Sequence, residues 1–420
     1  MPNLRNQALG FALGFIPVRR ARSLVKRCSP SVGAAAPPRR RQLLVDVSVT
    51  VQNDARTGIQ RVVRAILNQL LNHRPAGFFV CPVFATRKIG YRYVRDFPGV
   101  VFDRGDHGDG AAVEVEPGDI FLGLDLGAHI LPRRQGQLLA WKRRGARLHF
   151  MVHDILAVRN PQWFTPKARA HFERWLRTVA VFADGLLCSS HVVKEDVADW
   201  LARSYGLYAD SAPIAIMRLG ADIAASLPSV GLPADSGPLL EKLRKNSAAL
   251  MVGTIEPRKG HVKVMSAFEE LWRCGSQAHL VLVGRPGWRT EALQQTLRLH
   301  PQRNNRLHWL DDVSDEMLVA LYHAATGVIV ASEAEGFGLP LVEAAYYQKP
   351  ILASDIPIFR EIGGDGVTFF SPGASNLAEI IDGWLQRIES GEFSSGCMPS
   401  EITTWHDSVT QLLENLVSGG

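Results

Sequence analysis

Two acidic side chains flank a glycine turn in the stretch SEAEGFGLPLVE, residues 332–343. Glu335 precedes the turn made by Gly336 and Gly338, and Glu343 lies about one turn into the helix predicted after it. N–H groups at a helix start, supported by the helix dipole, bind a diphosphate. Carboxylates accept hydrogen bonds from ribose and sugar hydroxyls. A glycine turn between solvated acids is the alternative, but the spacing of the two glutamates favours a nucleotide-sugar site.

Basic side chains follow another apolar segment in GTIEPRKG, residues 253–260. Arg258 and Lys259 stand just before Gly260, which opens a predicted helix. Two cations at the carboxyl end of a strand can clamp a departing diphosphate. A solvated basic turn is the alternative, because exposed lysines and arginines are common. Together with the first motif in one domain, this one strengthens the prediction of a nucleotide-sugar site.

A histidine ends the apolar segment RLHFMV, which is typical of a strand. His153 could donate a hydrogen bond to a sugar or shuttle a proton. Its alternative role is structural, capping the end of the strand. Both interpretations place it at the carboxyl edge of a sheet.

Strand and helix patterns alternate in two series, from about residue 43 to 217 and from 248 to 353. A nearly continuous apolar run over 43–51 predicts the first buried strand. The alternation predicts an α/β protein with two doubly wound, Rossmann-like parallel sheets. Ligands of such folds bind outside the carboxyl ends of the strands, and we expect the site in a cleft between two facing domains.

Composition excludes several classes of protein. The 420 residues are 46% hydrophobic and 21% charged, typical of a globular chain with a large core. The net charge is +6, but residues 1–41 hold nine basic residues and no acid, so the remainder carries −3. A nucleic-acid-binding body is therefore not expected. Five widely spaced cysteines without a CxxC pair predict reduced thiols in a cytosolic protein.

We expect no metal site. Asp103, Asp106 and Asp109 lie in the glycine-rich segment DRGDHGDG, but no glutamate follows at the spacing of a calcium loop. The segment is typical of a solvated turn.

The basic N-terminal segment also contains the apolar run ALGFALGFIPV at residues 8–18. The run is too short to span a bilayer, and its charges follow rather than precede it, which is the wrong order for a signal peptide. One interpretation is a peripheral anchor on anionic lipid. The other is a solvated tail.

The motifs EGFGLPLVE and GTIEPRKG together resemble the retaining glycosyltransferases of family 4, which have the two-domain GT-B fold. LVGRPGW (282–288), LHWLDDVSDEMLVALYHAA (307–325) and ILASDIPIFREIGGDGVTFFSPG (351–373) agree in order. Looser agreement extends the resemblance over roughly residues 43–415.

The resemblance implies a role for each matching position. Glu335 would contact the transferred sugar and Glu343 the ribose, while Lys259 would neutralise the diphosphate. His153 would lie beside the sugar and the acceptor. Thr254 stands where many members carry arginine, so Arg258 would supply that second charge. The positions implied to bind the nucleotide sugar are Gly58, Gly253, Thr254, Arg258, Lys259, Gly284, Val313, Gly336, Phe337, Gly338, Leu339 and Glu343.

The expected activity is retaining, metal-independent transfer of a hexose from a nucleotide sugar to a growing lipid-linked bacterial surface glycan. Mannose from GDP-mannose is favoured, with rhamnose as the other candidate. The alternatives are a sugar-nucleotide epimerase or another GT-B enzyme, and a non-catalytic, membrane-associated scaffold. We expect a cytoplasmic protein, either free or peripheral on the inner face of the cytoplasmic membrane.

The expected organisation has five parts. They are a basic tail at 1–41, an acceptor domain at 42–222, a linker at 223–246, a nucleotide-sugar domain at 247–398, and a C-terminal helix at 399–420 that crosses back to the first domain.

Overall fold

A computed structural model of the chain describes residues 4–30, 41–94, 97, 110–208, 213–392 and 402–418. Contacts divide the chain into two compact units. Unit 1 comprises Met1–Arg218 and Trp405–Gly420, and unit 2 comprises Leu219–Thr404. Each unit is an α/β domain with its own sheet, which confirms the predicted fold class of two doubly wound domains.

Unit 1 contains a seven-stranded sheet. Its strands are β1 Arg41–Asp46, β2 Phe78–Phe84, β3 Arg92–Tyr93, β4 Ile120–Gly123, β5 Arg147–Val152, β6 Gly185–Cys188 and β7 Ile214–Ile216. Their order is β3-β2-β1-β4-β5-β6-β7, and every pairing is parallel except β2 with β3. The strand order reverses between β1 and β4, which is where such sheets open a binding crevice.

The helices described in unit 1 cover this sheet. They are α1 Leu4–Ala12, α2 Val18–Cys28, α3 Ser48–Gln52, α4 Gly58–Asn72, α5 Gln135–Arg143, α6 Leu156–Arg159, α7 Pro166–Phe182, α8 His191–Tyr205 and α16 Trp405–Ser418. Helix α16 packs on α4, and its Asn415 donates to the carbonyl of Ile216 at 3.1 Å. Leu44 and Phe121, on neighbouring strands, are fully buried because helices cover both faces.

Unit 2 contains a six-stranded, wholly parallel sheet. Its strands are β8 Ala248–Val252, β9 His279–Val283, β10 Leu307–Leu310, β11 Gly327–Val330, β12 Ile351–Ser354 and β13 Thr368–Phe370, in the order β10-β9-β8-β11-β12-β13. Its helices are α9 Ser236–Lys245, α10 His261–Arg273, α11 Glu291–Leu299, α12 Asp315–Ala324, α13 Leu339–Tyr346, α14 Pro357–Gly363 and α15 Leu377–Glu389. Here the order reverses between β8 and β11, so the segments that follow these strands are neighbours.

The first strand is shorter than its apolar pattern predicts. β1 ends at Asp46, and the residues expected to complete a strand over 43–51 form α3 instead. Asp46 accepts a hydrogen bond from the N–H of Ser48 at 3.0 Å, and Asp125 accepts from the N–H groups of Val49 and Thr50 at 2.7 and 2.8 Å. These carboxylates satisfy the first N–H groups of the helix, which a strand would have paired with a neighbour.

The segment expected to be a linker is only partly one. Unit 2 begins at Leu219, and α9 occupies Ser236–Lys245 inside the predicted linker at 223–246. Leu240 and Leu243 of α9 are buried. Their spacing is helical, and the Pro and Gly residues that suggested a linker lie mostly before the helix.

The N-terminal segment is not a free tail over the residues that the structure describes. Helix α1 packs on α5, and α2 packs on α7 and α5. Val18, Ala21 and Val25 of α2 are buried in the core of unit 1. The expectation of a separate tail is therefore wrong for residues 4–28. Their apolar side chains recur at helical spacing and pack against the core of unit 1. Residues 31–40 of the expected tail lie outside the described residues.

Candidate active site

The turn after β8 carries the two predicted cations. Pro257–Lys259 form one turn of 3-10 helix, and Gly260, with a φ of 75°, starts α10. A Cβ on Gly260 would lie 2.2 Å from the carbonyl oxygen of Ala331, the residue just after β11. Only glycine therefore allows this turn to approach the end of β11 so closely.

This approach joins the two sequence motifs in one ion cluster. Arg258 Nη1 lies 2.6 Å from Glu335 Oε2, and Lys259 Nζ is paired with the other oxygen, Oε1. Arg258 also donates to the carbonyl of Ala334 at 2.9 Å. Its Nη2 lies 2.7 Å from Glu256 Oε1, and the Glu256 side chain is only 4% exposed. Two cations and two carboxylates are thus held together, with little access to water.

The charges of this cluster fix the protonation of Glu335. Burial alone would raise the pKa of its carboxyl, but the charges of Arg258 and Lys259, with hydrogen bonds from Lys259 and Ser332, lower it to about 2. Ser332 Oγ donates to Oε1 at 2.6 Å. Glu335 is therefore ionised at neutral pH. It can accept hydrogen bonds and hold cations, but it cannot donate a proton as a general acid.

The second glutamate of the motif is held separately. Glu343 lies in α13 and is 3% exposed, and Tyr322 of α12 donates its hydroxyl hydrogen to Glu343 Oε2 at 2.8 Å. This contact fixes the direction of the carboxylate. A carboxylate offers about four acceptor positions in all, so it can accept from several donors.

Helix α13 starts where the motif predicts. Gly338 is its N-cap, with a φ of 101° that favours glycine. A Cβ there would lie 2.7 Å from the Phe359 ring, so the turn also needs the missing side chain for space. Gly336, Phe337 and Leu339 complete the turn, and Phe337 is buried. The first-turn N–H groups of α13 thus follow directly after Glu335, where an anion is favoured.

The remaining predicted nucleotide positions of unit 2 follow β8, β9 and β10. Gly253 lies next to the Lys259 side chain, and a Cβ built on Gly253 would be 3.6 Å from Lys259 Nζ. Gly284 donates to the carbonyl of Leu310 at 3.0 Å and accepts from Trp309 Nε1 at 2.9 Å. Thr254 follows Gly253, and Val313 lies between β10 and α12. All four positions lie at the same carboxyl edge as the ion cluster.

His153 of unit 1 follows β5 and is buried. Its Nε2 lies 2.9 Å from the carbonyl oxygen of Leu124, and since a carbonyl can only accept, Nε2 carries the proton. Burial lowers the pKa of His153, although the hydrogen bond and the charges of Asp154 and Asp125 oppose this. The ring is therefore held in one tautomer, as either a structural or a functional histidine would be.

Gly58, the other predicted position in unit 1, is the first residue of α4. Thr57 caps this helix through a capping box with Gln60. Gln60 Nε2 also donates to the carbonyl of Asn53 at 2.6 Å, and Arg64 pairs with Asp54 at 2.6 Å. The loop that precedes Gly58 is thus fixed by side chains of α4, the helix that it leads into.

Two buried carboxylates of unit 1 were not anticipated from the sequence. Asp46 ends β1 and Asp125 follows β4, which is its neighbour in the sheet. Burial and the charge of Asp125 raise the pKa of Asp46 to about 7, against the hydrogen bonds it accepts from Ser48 and Tyr91. Asp46 is therefore partly protonated at neutral pH.

The structure thus brings Arg258, Lys259 and Glu335 into direct contact and places Glu343 nearby in sequence, on the helix that follows. Sequence reasoning missed the partners of these residues, namely Glu256, Ser332 and Tyr322. The first two stand inside the quoted motifs, so their position was a signal. Tyr322 stands inside the quoted segment 307–325, but its contact with Glu343 depends on how α12 packs against α13, which the sequence does not state.

Within the described parts of the chain, no group of three or more His, Cys, Asp or Glu side chains could hold a metal ion. Asp103, Asp106 and Asp109 lie outside these parts. None of the described helices is long and apolar enough to cross a membrane.

Comparison with known proteins gives this geometry a context. Residues 240–391, most of unit 2, match the family model described as glycosyl transferases group 1. The matched region contains all four members of the ion cluster and Glu343.

Among curated relatives, the serotype-specific mannosyltransferase WbdA of Escherichia coli is 40% identical over 379 residues, 90% of this chain and 45% of WbdA. The O-antigen chain mannosyltransferase B of E. coli is 29% identical over 43% of this chain and 49% of its own length. The chain therefore spans about half the length of the curated relatives it matches.

Solved structures share the fold. HepE of Anabaena, in complex with UDP and glucose, superposes with a TM-score of 0.59 at 19% identity, covering 90% of this chain and 99% of HepE. Sucrose-phosphate synthase of Thermosynechococcus elongatus also gives 0.59, at 16% identity, covering 91% of this chain and all of that one. These likenesses support the GT-B fold.

Proposed function

We propose that this protein is a retaining glycosyltransferase that moves mannose from GDP-mannose to a growing lipid-linked bacterial surface glycan, without a metal ion. The single observation that carries the proposal is the contact of Arg258 and Lys259 with Glu335 in the ion cluster, which lies inside the segment similar to glycosyl transferases group 1. Mannose is favoured over rhamnose because the curated relatives named above are mannosyltransferases.

The two cations of the cluster and the two glutamates of the glycine-turn motif each have a part in the proposed reaction. Lys259 and Arg258 neutralise the diphosphate, a task that a divalent cation performs in other enzymes. Glu335, ionised and held by both cations, accepts hydrogen bonds from the transferred sugar. Glu343, oriented by Tyr322, accepts from the ribose hydroxyls.

The chemistry needs no protein nucleophile. The acceptor oxygen forms a bond to the anomeric carbon on the face from which the diphosphate departs. The bond between that carbon and the phosphate oxygen breaks, and the acceptor proton passes to the departing phosphate. The anomeric configuration is thereby retained. His153, with its proton fixed on Nε2, lies beside the sugar and the acceptor in this proposal.

The lipid-linked acceptor implies a place in the cell. We propose that the enzyme is cytoplasmic and associates peripherally with the inner face of the cytoplasmic membrane through residues 1–41, whose nine basic side chains would attract anionic lipid.

The test is transfer from radiolabelled GDP-mannose to a mannoside acceptor, with EDTA present, followed by NMR of the new linkage. We expect an α-linked product, and no product with Lys259→Ala. Turnover of the donor without an acceptor would favour the epimerase alternative. Binding of GDP-mannose without turnover under any acceptor condition would favour the scaffold. A requirement for a divalent cation would contradict the metal-free mechanism.

A further inference from the structure

Residues 4–30, called the α1–α2 hairpin here, form two helices joined by a turn, of which α1 packs on α5 and α2 packs mainly on α7. The surface of this segment carries two exposed aromatic rings. Phe11 and Phe15 are 72% and 75% exposed, and their ring centroids are 4.9 Å apart. Leu13 and Val18 of the same hairpin are buried against unit 1. The hairpin therefore already covers the core, and the two rings are not needed for that purpose.

A basic cleft of about 440 Å³ lies beside α2. It is lined by Arg19, Arg22, Ser23, Lys26, Arg27 and Leu207. Tyr208, the neighbour of Leu207, is 69% exposed.

The cleft has an excess of positive charge. The hairpin holds six basic residues and no acid. Asp184, the acid whose charge acts on Arg22 and Lys26, is already paired with Lys142 and accepts a hydrogen bond from the N–H of Leu148 at 2.7 Å. Burial lowers the pKa of Lys26, and the nearby charges of Arg22 and Lys142 lower it further, against Asp184. An anion in the cleft would relieve this repulsion.

One wall of the cleft is rigid. Arg22 is 5% exposed, and its guanidinium donates to the carbonyl oxygens of Ala180 and Ala183 at 2.7 and 2.8 Å. These carbonyls are at the C-terminal end of α7, where a cation is favoured. The other basic side chains of the cleft are therefore carried by a helix that is anchored in the core.

The aromatic rings and the basic cleft are close together. Phe15 and Arg19 are four residues apart, so their Cα atoms are at most about 14 Å apart along the chain. Aromatic side chains prefer the headgroup level of a bilayer, and basic side chains bind its anionic surface. The hairpin combines both on one folded element.

We propose that the α1–α2 hairpin docks on an anionic phospholipid bilayer, with Phe11 and Phe15 entering the interface and a lipid phosphate bound in the cleft by Arg19, Lys26 and Arg27. The proposal rests on the proposed function only in that the enzyme works at a membrane. In this proposal the protein attaches to the membrane through the folded surface of α1 and α2, and not through a free basic tail as the sequence suggests.

The test is co-sedimentation of the full-length protein with vesicles of phosphatidylcholine containing 30% phosphatidylglycerol. We expect Phe11→Ser with Phe15→Ser, and separately Arg19→Glu with Arg27→Glu, to lower the partition coefficient at least tenfold. Leu299→Ser and Arg273→Glu, exposed residues of unit 2, are the matched controls and should change it less than twofold. The wild-type protein should bind pure phosphatidylcholine at least tenfold more weakly, and binding should fall as salt rises.

Three results would overturn the proposal: equal binding to neutral vesicles, no effect of either double variant, or full displacement from vesicles by millimolar glycerol phosphate. The last would indicate a site for a free phosphate ester. Unchanged thermal unfolding checks that each variant folds. Mannosyl transfer by the wild-type protein to a water-soluble acceptor is measured in parallel. Absence of this transfer would contradict the proposed function but would not contradict the lipid-docking proposal.

Discussion

Lys259 is in contact with a carboxylate in the structure, and in the proposed reaction it faces a departing diphosphate. Removing one preorganised stabiliser of a developing charge typically lowers the rate by about 10²-fold or more. We therefore expect Lys259→Ala to reduce kcat at saturating donor by at least that factor. Lys263→Ala is the matched control, because Lys263 is a half-exposed lysine on the adjacent helix turn that pairs with Glu333. Near wild-type turnover of Lys259→Ala would contradict the assignment.

The two glutamates of the motif should differ in what they bind. Glu343→Gln is expected to weaken the affinity for GDP by about tenfold, the equivalent of one hydrogen bond to a charged group, because ribose contacts persist through the reaction. Tyr322→Phe should also weaken the affinity for GDP, since the Tyr322 hydroxyl orients Glu343.

Glu335→Gln should instead lower kcat and leave the GDP affinity unchanged or higher. The substitution removes a negative charge that competes for Arg258 and Lys259. Calorimetry with GDP alone separates the roles, because this ligand has no sugar. Equal weakening by the two glutamine substitutions would show that the division of roles is wrong.

The raised pKa of Asp46 predicts that the free energy of unfolding depends on pH. Its pKa is about 7 in the folded protein and 3.8 as the ordinary value, so the folded state binds a proton that the unfolded state has released. The stabilisation is fully present below about pH 4 and is lost as the pH rises through 7. Compared with Asp46→Asn, wild-type protein should lose up to about 1.4 kcal/mol per pH unit within this window. Urea unfolding at pH 5, 6, 7 and 8 measures it, and parallel profiles would contradict the shift.

At the level of helices and strands, sequence patterns located the motifs but not their contacts. The glycine turn and the turn at Pro257–Lys259 each follow an apolar run. The sequence therefore predicts that each turn follows a strand. That Arg258 and Glu335 form an ion pair depends on β8 and β11 being neighbours in the sheet, which no local pattern states. The end of β1 differs from the prediction for a similar reason, since Asp125, whose carboxylate caps α3, follows β4, which is a neighbour of β1 in the sheet but distant in sequence.

The N-terminal hairpin carries the clearest missed signal. Val18, Ala21 and Val25 recur at helical spacing, and this periodicity was present in the sequence. The many basic residues of the segment instead favour a solvated tail or an anchor on lipid as the prediction. The burial of Arg22 could not be foreseen, because its partners are carbonyl groups at the end of α7.

Removing this hairpin should therefore destabilise unit 1. Each buried aliphatic side chain contributes about 1.5–3 kcal/mol, and Leu13, Val18 and Val25 would all leave the core. We expect deletion of residues 1–30 to lower Tm by at least 10 °C or to abolish soluble expression. Arg20→Ala, a substitution of an exposed residue on the same helix, should leave Tm within about 1 °C. A truncated protein with wild-type Tm would contradict the packing.

For the whole molecule, we expect ligand effects to be localised. Hydrogen exchange with and without GDP should show protection in unit 2, at residues 253–260 and 332–343, because a ligand stabilises the state it binds. The α1–α2 hairpin should exchange at the same rate in both conditions. Protection of the hairpin but not of unit 2 would place the nucleotide elsewhere.

The charge balance around Glu335 has a thermodynamic consequence. Arg258 and Lys259 lost most of their hydration when the chain folded, and a carboxylate of the protein already occupies their hydrogen-bond positions. In the proposed reaction, an incoming diphosphate would therefore bind to cations that already have an anionic partner, and it would not have to strip water from hydrated cations. Little solvent around the cations would have to reorganise during binding, so the electrostatic environment of the proposed reaction would exist before the substrate arrives.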